Sequence, residues 1–310
     1  MRYAYLGPSG TFTEAALLQV EGAREAERIP AASVPAALDA VRSGEADAAM
    51  VPIENSVEGG VSATLDAIAR GRGLRIVAEH LVPITFVLAV RPGTALADVR
   101  GLATHGHAWA QVTEWVAASL PDASYFPAGS TAAAAVELSA GEAPFEAAVC
   151  SPLVAEQLGL EVLAENIGNV TDAVTRFILV AREGEVPEPT GADKTTLVIP
   201  LPEDHPGALM DILDQFATRG VNLNRIESRP TGQGIGSYFF SIDVDGHVSE
   251  ARIGAAVRGL RRITPVTFLG SYPRADRVSV APAAHTSDAA YREADEWFES
   301  LFSAGEPGED

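Results

Sequence analysis

The sequence predicts an α/β protein in two parts, an alternating strand–helix body followed by a smaller four-stranded unit. Three observations carry this reading. Short apolar strands alternate with helices over residues 1–182. A polar stretch rich in proline and glycine, residues 183–194, then breaks the apolar pattern as a linker would. Beyond it the order becomes β-α-β-β-α-β.

In chain order, residues 3–6 read as a strand that runs through the turn Gly7-Pro8-Ser9-Gly10-Thr11 into a helix ending at Leu17. Residues 48–53 form a strand and 63–70 a helix. Strands are expected at 76–79, 85–90 and 147–150, and helices at 108–118, 131–139 and 151–158. Such alternation argues for largely parallel sheets, with ligands at loops beyond the carboxyl ends of strands. The run Phe177-Ile178-Leu179-Val180, opened by Thr175 and Arg176, reads as a buried strand. A guanidinium at the mouth of a buried strand calls for an anion.

After the linker, strands are expected at 195–201, 221–228, 237–244 and 266–272, with helices at 206–219 and 250–262. Leu209, Ile212, Leu213 and Phe216 make one apolar stripe, and Ile253, Ala256, Val257 and Leu260 another, both at 3, 4 and 7 spacing. Two helices on one face of four antiparallel strands is a ferredoxin-like unit, over residues 195–273. It is too widespread to name a function. Residues 274–310 form an acidic tail: from 275 onward nine acids face Arg277 and Arg292, 2 − 9 = −7, around an amphipathic helix at 287–302.

Composition removes several functions. A net charge of −20 argues against nucleic acid, whose phosphates need basic partners. No apolar run is long enough to span a membrane, and the start lacks the apolar core of a signal peptide, so a cytoplasmic location is expected. Cys150 is the single cysteine, which fits a reducing compartment. Of 22 basic residues only Lys194 is a lysine, and it falls in the expected linker. Schiff-base chemistry and a lysine-bearing phosphate loop are thereby excluded, and no cofactor is expected.

The polar clusters sit where a ligand site would. Thr11 or Thr13 caps a helix start. Glu54, Asn55 and Ser56 follow a buried strand, with Gly59-Gly60 allowing close backbone approach. His105 and Gln111 line another helix entrance; His105 and His107 make no metal-ligand spacing with Cys150 or the other histidines, so no metal is expected. Ser130 and Thr131 open a further helix. Each has a bland alternative as a turn or a cap. Together, hydroxyls, amides and one arginine suit a small carboxylate in a cleft.

These clusters also resemble the prephenate dehydratase family. Its marks are GPSGTFTEAA at 7–16, VPIENSVEGGV at 51–61, the Thr-His helix entrance at 104–111, STAAAA at 130–135 and VTRF at 174–177. The unit that follows resembles an ACT regulatory module, with PGAL at 206–209 and IESRP at 226–230. The resemblance runs from about residue 2 to 273. Where the family usually carries Asp-Asn ahead of Thr-Arg-Phe, this chain reads Asn169-Val170-Thr171-Asp172-Ala173.

The resemblance implies a bilobal catalytic domain over 1–182, of the type 2 periplasmic-binding-protein kind, with lobes about 1–76 plus 168–182, and 77–167. It implies decarboxylating dehydration of prephenate to phenylpyruvate in phenylalanine biosynthesis, with Thr175 catalytic. Arg176, Phe177, Thr11, Glu54, Asn55, Ser56, His105, Ser130 and Thr131 would bind substrate. L-phenylalanine would regulate through Gly207, Ala208, Leu209, Asn222, Glu227 and Ser228, in a homodimer or homotetramer. Arogenate dehydratase and a non-aromatising prephenate decarboxylase are the alternatives within the fold. The intact Thr175 speaks against the second. A solute-binding protein shares the architecture but fits poorly with an ACT module.

Overall fold

The computed structural model describes residues 1–57, 59–70, 73–201, 205–232 and 236–303. Glu58 of the VPIENSVEGGV motif and the last seven residues of the acidic tail lie outside them. Two compact units emerge, Met1–Ala67 with His80–Arg182, and Ile68–Glu79 with Glu183 onward. The first unit ends at Arg182, and residues 68–79 group with the second unit.

The first unit holds two α/β lobes. Up to the second lobe the chain runs β1 (Arg2–Leu6), α1 (Phe12–Leu17), β2 (Glu27–Ala31), α2 (Val34–Ser43), β3 (Ala48–Asn55), β4 (Gly59–Gly60), α3 (Ser62–Arg70) and β5 (Leu74–Pro83), of which residues 68–79 group with the second unit. In the second come β6 (Val87–Val90), β7 (Gly101–Thr104), α4 (Gly106–Ala110), α5 (Thr113–Ser119), β8 (Ser124–Pro127), α6 (Thr131–Ala140), β9 (Ala147–Cys150), α7 (Pro152–Gln157) and β10 (Glu161–Ala164). β11 (Val174–Arg182) returns to the first sheet, whose order is β2-β1-β3-β11-β5, with β4 on β3. The second sheet runs β10-β6-β9-β7-β8. This is the bilobal body the resemblance implied. β5 runs on past residue 76 to Pro83.

The expectation of largely parallel sheets needs correction. β1 pairs in parallel with β2 and β3, and β7 with β8 and β9, but β11 runs antiparallel to β3, and β6 antiparallel to β9 and β10. A strand that re-enters a lobe from the other one need not share the direction set by helical crossovers. The single helix expected at 108–118 is two: Asn169 N–H takes the Gln111 carbonyl at 2.6 Å, and α4 ends there.

The second unit has β12 (Asp193–Pro200), α8 (Ala208–Ala217), β13 (Leu223–Pro230), β14 (Tyr238–Asp245), α9 (Ala251–Ile263) and β15 (Thr267–Pro273), then α10 (Asp288–Ser303). Its sheet is antiparallel in the order β13-β14-β12-β15, the ferredoxin-like arrangement. Leu197, Ile199, Ile212, Phe216, Ile242, Ile253 and Leu260 fill the space between the sheet and the helices. Strand alternation sends Lys194, Thr196 and Asp243 to the other face.

Lys194 is therefore not a linker residue. It is buried in β12, and its Nζ holds both oxygens of buried Glu79 at 3.1 and 2.9 Å. Asp193 beside it is also buried and caps the turn at Thr190. The cation and its carboxylate leave water together, which sequence spacing cannot show.

Candidate active site

Two adjoining cavities, of about 210 and 360 Å³, share Phe12, Thr13, His105 and Thr131 as walls and form one cleft between the lobes of the first unit. One side is built from β1, β3, β11 and the start of α1, the other from residues 84–86 ahead of β6 and from the starts of α4 and α6. Three capped helix starts meet here. Thr11 caps α1, accepting from Glu14 N–H at 3.4 Å. His105 caps α4 through Nδ1, which accepts from His107 N–H at 3.3 Å. Ser130 caps α6, accepting from Ala133 N–H at 2.9 Å. Their amides face electron-rich groups favourably.

Thr175 stands on the wall of the smaller cavity and is 7% exposed. Its Oγ1 accepts a 2.8 Å hydrogen bond from Asn55 Nδ2. The Asn55 amide cannot be turned around, because its Oδ1 accepts from Val57 N–H at 2.8 Å. Asn55 thus acts as donor to the hydroxyl oxygen, leaving the hydroxyl's own hydrogen available to donate. The cross-strand register sets the pair, Thr175 lying opposite Asn55 in β11 and β3.

Phe177, two residues on, lines the same wall, with Pro52, Ile84, Phe86 and Phe12. Phe12 and Phe86 meet edge to face at 5.8 Å. These rings make the cleft apolar around its polar rim. His105 and His107 stack with centroids 5.1 Å apart.

Arg176 lies between two cavity residues on a strand, so its side chain turns to the opposite side of β11. It lines neither cavity. There it meets Glu54 Oε2 at 3.5 Å, the residue opposite in register. Among the described residues the buried guanidinium meets a protein carboxylate, and neither Arg176 nor Glu54 lines these two cavities. Ser56 lies outside both cavities as well. Its Oγ accepts from Val174 N–H and its own N–H donates to Val174 O, both at 2.9 Å, pinning the ends of β3 and β11.

Of the expected residues, Thr175, Phe177, Thr11, Asn55, His105, Ser130 and Thr131 share the cleft. Sequence reasoning did not name Phe12, Thr13, His107, Ile84 and Phe86 as site residues. Phe12 and Thr13 were legible, since they follow the capping Thr11. Ile84 and Phe86 were not, because an apolar residue at a lobe crossing looks like core.

In the second unit, Gly207 opens α8 with φ +95°, a conformation that glycine adopts without strain. Ala208 is buried and Leu209 is 38% exposed at that helix start. Asn222, just before β13, donates to Asp245 Oδ2 at 2.9 Å, while Glu227 approaches Arg225 at 3.8 Å. Ser228 pairs with Phe240 further along β13. Asn222 and Ser228 are six residues apart on an extended segment, about 20 Å at the rise of a strand. One chain does not bring all six expected residues into one pocket.

The lobes and cleft define a two-lobed α/β protein with an apolar cleft rimmed by hydroxyls and helix starts, followed by a ferredoxin-like unit. The prephenate dehydratase family model matches residues 3–185, and an ACT domain model matches 195–262. The chain belongs to the prephenate dehydratase family. It is 46% identical to a prephenate dehydratase of Mycolicibacterium vanbaalenii, over 94% of this chain and 96% of that one. It is 48% identical to one from Amycolatopsis methanolica, over 96% of each. A crystal structure of prephenate dehydratase in complex with L-Phe, from Arthrobacter aurescens, is 64% identical with a TM-score of 0.93, covering 98% of this chain and 100% of that one.

Proposed function

We infer that this chain is a hydro-lyase that converts prephenate to phenylpyruvate, carbon dioxide and water. In that reaction the ring carbon–oxygen bond and the bond to one carboxylate both break. The electron pair left by carbon dioxide completes the aromatic ring, and the departing hydroxide takes a proton. The observation that carries the reading is the Thr175 hydroxyl, held by an amide of fixed orientation on the wall of an apolar cleft.

Asn55 donates to Thr175, and Thr175 in turn donates to the leaving oxygen. A threonine hydroxyl is a weak acid, so it stabilises departing charge by hydrogen bonding and need not surrender its proton. Phe12, Phe86 and Phe177 enclose the ring and hold it oriented. The amides at the starts of α1, α4 and α6, with Thr11, His105, Ser130 and Thr131, receive the carboxylates. Arg176 acts one step removed: it holds Glu54, and with Ser56 it fixes the strand end that presents Asn55.

L-phenylalanine regulates this activity through the second unit. Gly207, Ala208, Leu209 and Asn222 of one copy, with Glu227 and Ser228 of another, would complete a pocket between two ACT modules. The spread of the six residues along one chain supports this homo-oligomeric arrangement. Incubation with prephenate, followed by ultraviolet and mass analysis, tests the activity. Phenylpyruvate is the expected product. A non-aromatic decarboxylated product, or turnover of arogenate alone, would overturn the assignment.

A further inference from the structure

Glu14, Ser151 and Gln157 lie outside the walls of both cavities, yet they join the two lobes that form those walls. Ser151, at the start of α7 in the second lobe, accepts from Val154 N–H at 3.3 Å and donates to the Gly10 carbonyl of the first lobe at 2.7 Å. It is 1% exposed. Glu14 Oε2 accepts from Gly10 N–H at 2.6 Å, from Ser9 Oγ at 2.8 Å and, across the lobes, from Gln157 Nε2 at 3.4 Å. Arg28 reaches its other oxygen at 3.3 Å.

The fit at this point is close. A Cβ on Gly10 would stand 2.5 Å from the Val154 side chain, and the residue also has φ +81°. The loop carrying Gly10 continues directly into Thr11, Phe12 and Thr13, which line the cleft. The facing lobe supplies His105, Ser130 and Thr131 to the same walls. Bonds at Gly10 and Glu14 therefore hold one wall of the cleft against the other.

We propose that Ser151, Gln157 and Glu14 are positioning residues for catalysis, a polar clasp that keeps the lobes at the separation at which the cleft binds substrate. The proposal rests on the reading of this cleft as the prephenate site. Hydrogen bonds suit the task because they fix orientation yet exchange with water at small cost. Loosening the clasp lowers the population of the binding-competent cleft and weakens apparent affinity in proportion. It leaves the chemistry of the bound complex unchanged.

The test is steady-state kinetics of the full chain on prephenate, with hydrogen exchange on the ligand-free protein. Ser151→Ala should raise KM about fivefold, the scale of one neutral hydrogen bond, with kcat within about twofold. Ser151→Thr keeps the hydroxyl and should restore KM. Gln157→Glu alters an exposed position that the fold tolerates and sets a second carboxylate against Glu14, so KM should rise about tenfold. In that variant residues 10–17 should exchange faster, while β12–β15 keep wild-type protection. KM within about twofold of wild type in both Ser151→Ala and Gln157→Glu, or unchanged exchange over 10–17, overturns the clasp. Wild-type turnover of prephenate decides the functional reading separately. Exchange judges the clasp without any substrate.

Discussion

Replacing Thr175 by alanine separates a structural hydroxyl from a catalytic one. In the folded protein that hydroxyl accepts a single 2.8 Å bond from Asn55 Nδ2, from a residue already fixed by Val57 N–H. If the hydroxyl only fastens β11 to β3, its loss removes one neutral hydrogen bond. That is worth about 1 kcal/mol net, or about fivefold in any equilibrium it affects. If it donates to the departing oxygen in an apolar cleft, the loss falls on the transition state and costs roughly 10²–10³ in kcat, as for other oxyanion donors. The two magnitudes do not overlap. Thr175→Ala should therefore lower kcat on prephenate by at least about a hundredfold while KM changes by less than about fivefold. Thr175→Ser keeps the hydroxyl and should retain most of the activity. Initial rates across a range of prephenate concentrations, with circular dichroism to verify folding, decide the matter. A folded Thr175→Ala protein with kcat within tenfold of wild type would leave the hydroxyl a purely structural role.

Leu209→Asp sets a carboxylate at the apolar start of α8 and should abolish L-phenylalanine binding by calorimetry while prephenate turnover persists; wild-type affinity would exclude that pocket. Lys194→Met removes the cation from buried Glu79 and should destabilise the protein by about 3 kcal/mol in urea unfolding. The double variant Lys194→Met/Glu79→Gln should recover much of that, and failure to do so would show that the pair is not the source. Glu14 is desolvated by burial, which raises its pKa, but bonds from Gly10, Ser9 and Gln157 and the charge of Arg28 outweigh this and leave it lowered. Its stabilisation is therefore complete above its unfolded value of about 4.3 and is lost as pH falls through the lower folded value. The stability gap between wild type and Glu14→Gln should be constant near neutral pH and shrink in acid; a gap that widens in acid would reverse the sign. Burial pushes the Cys150 thiol up to about 12, so it should resist a disulfide reagent at pH 8 until denaturant is added.

The two-part pattern, the ferredoxin-like order of the second unit and seven residues of the cleft are legible in the sequence. Those features are written in local patterns. The 3, 4 and 7 spacing of Leu209, Ile212, Leu213 and Phe216 needs no partner to be read, and Thr11 and Ser130 mark helix starts by their chemistry alone. β2 escaped notice because its Pro30 and polar flanks read as loop, as edge strands permit. α2 carries local marks, its Ser33 cap and its Gly44 stop.

Which way each polar residue faces, and what it meets, comes from packing. Arg176 and Thr175 are neighbours in sequence, yet the strand's two-residue period sends one to Glu54 and the other into the cleft. Ser56 became a strand clamp through its register with Val174, and the lone lysine left an apparent linker for a buried ion pair with a residue 115 positions away. Such pairings depend on which strands lie side by side. Direction and register arise from packing over the whole chain, and no local window of sequence contains them.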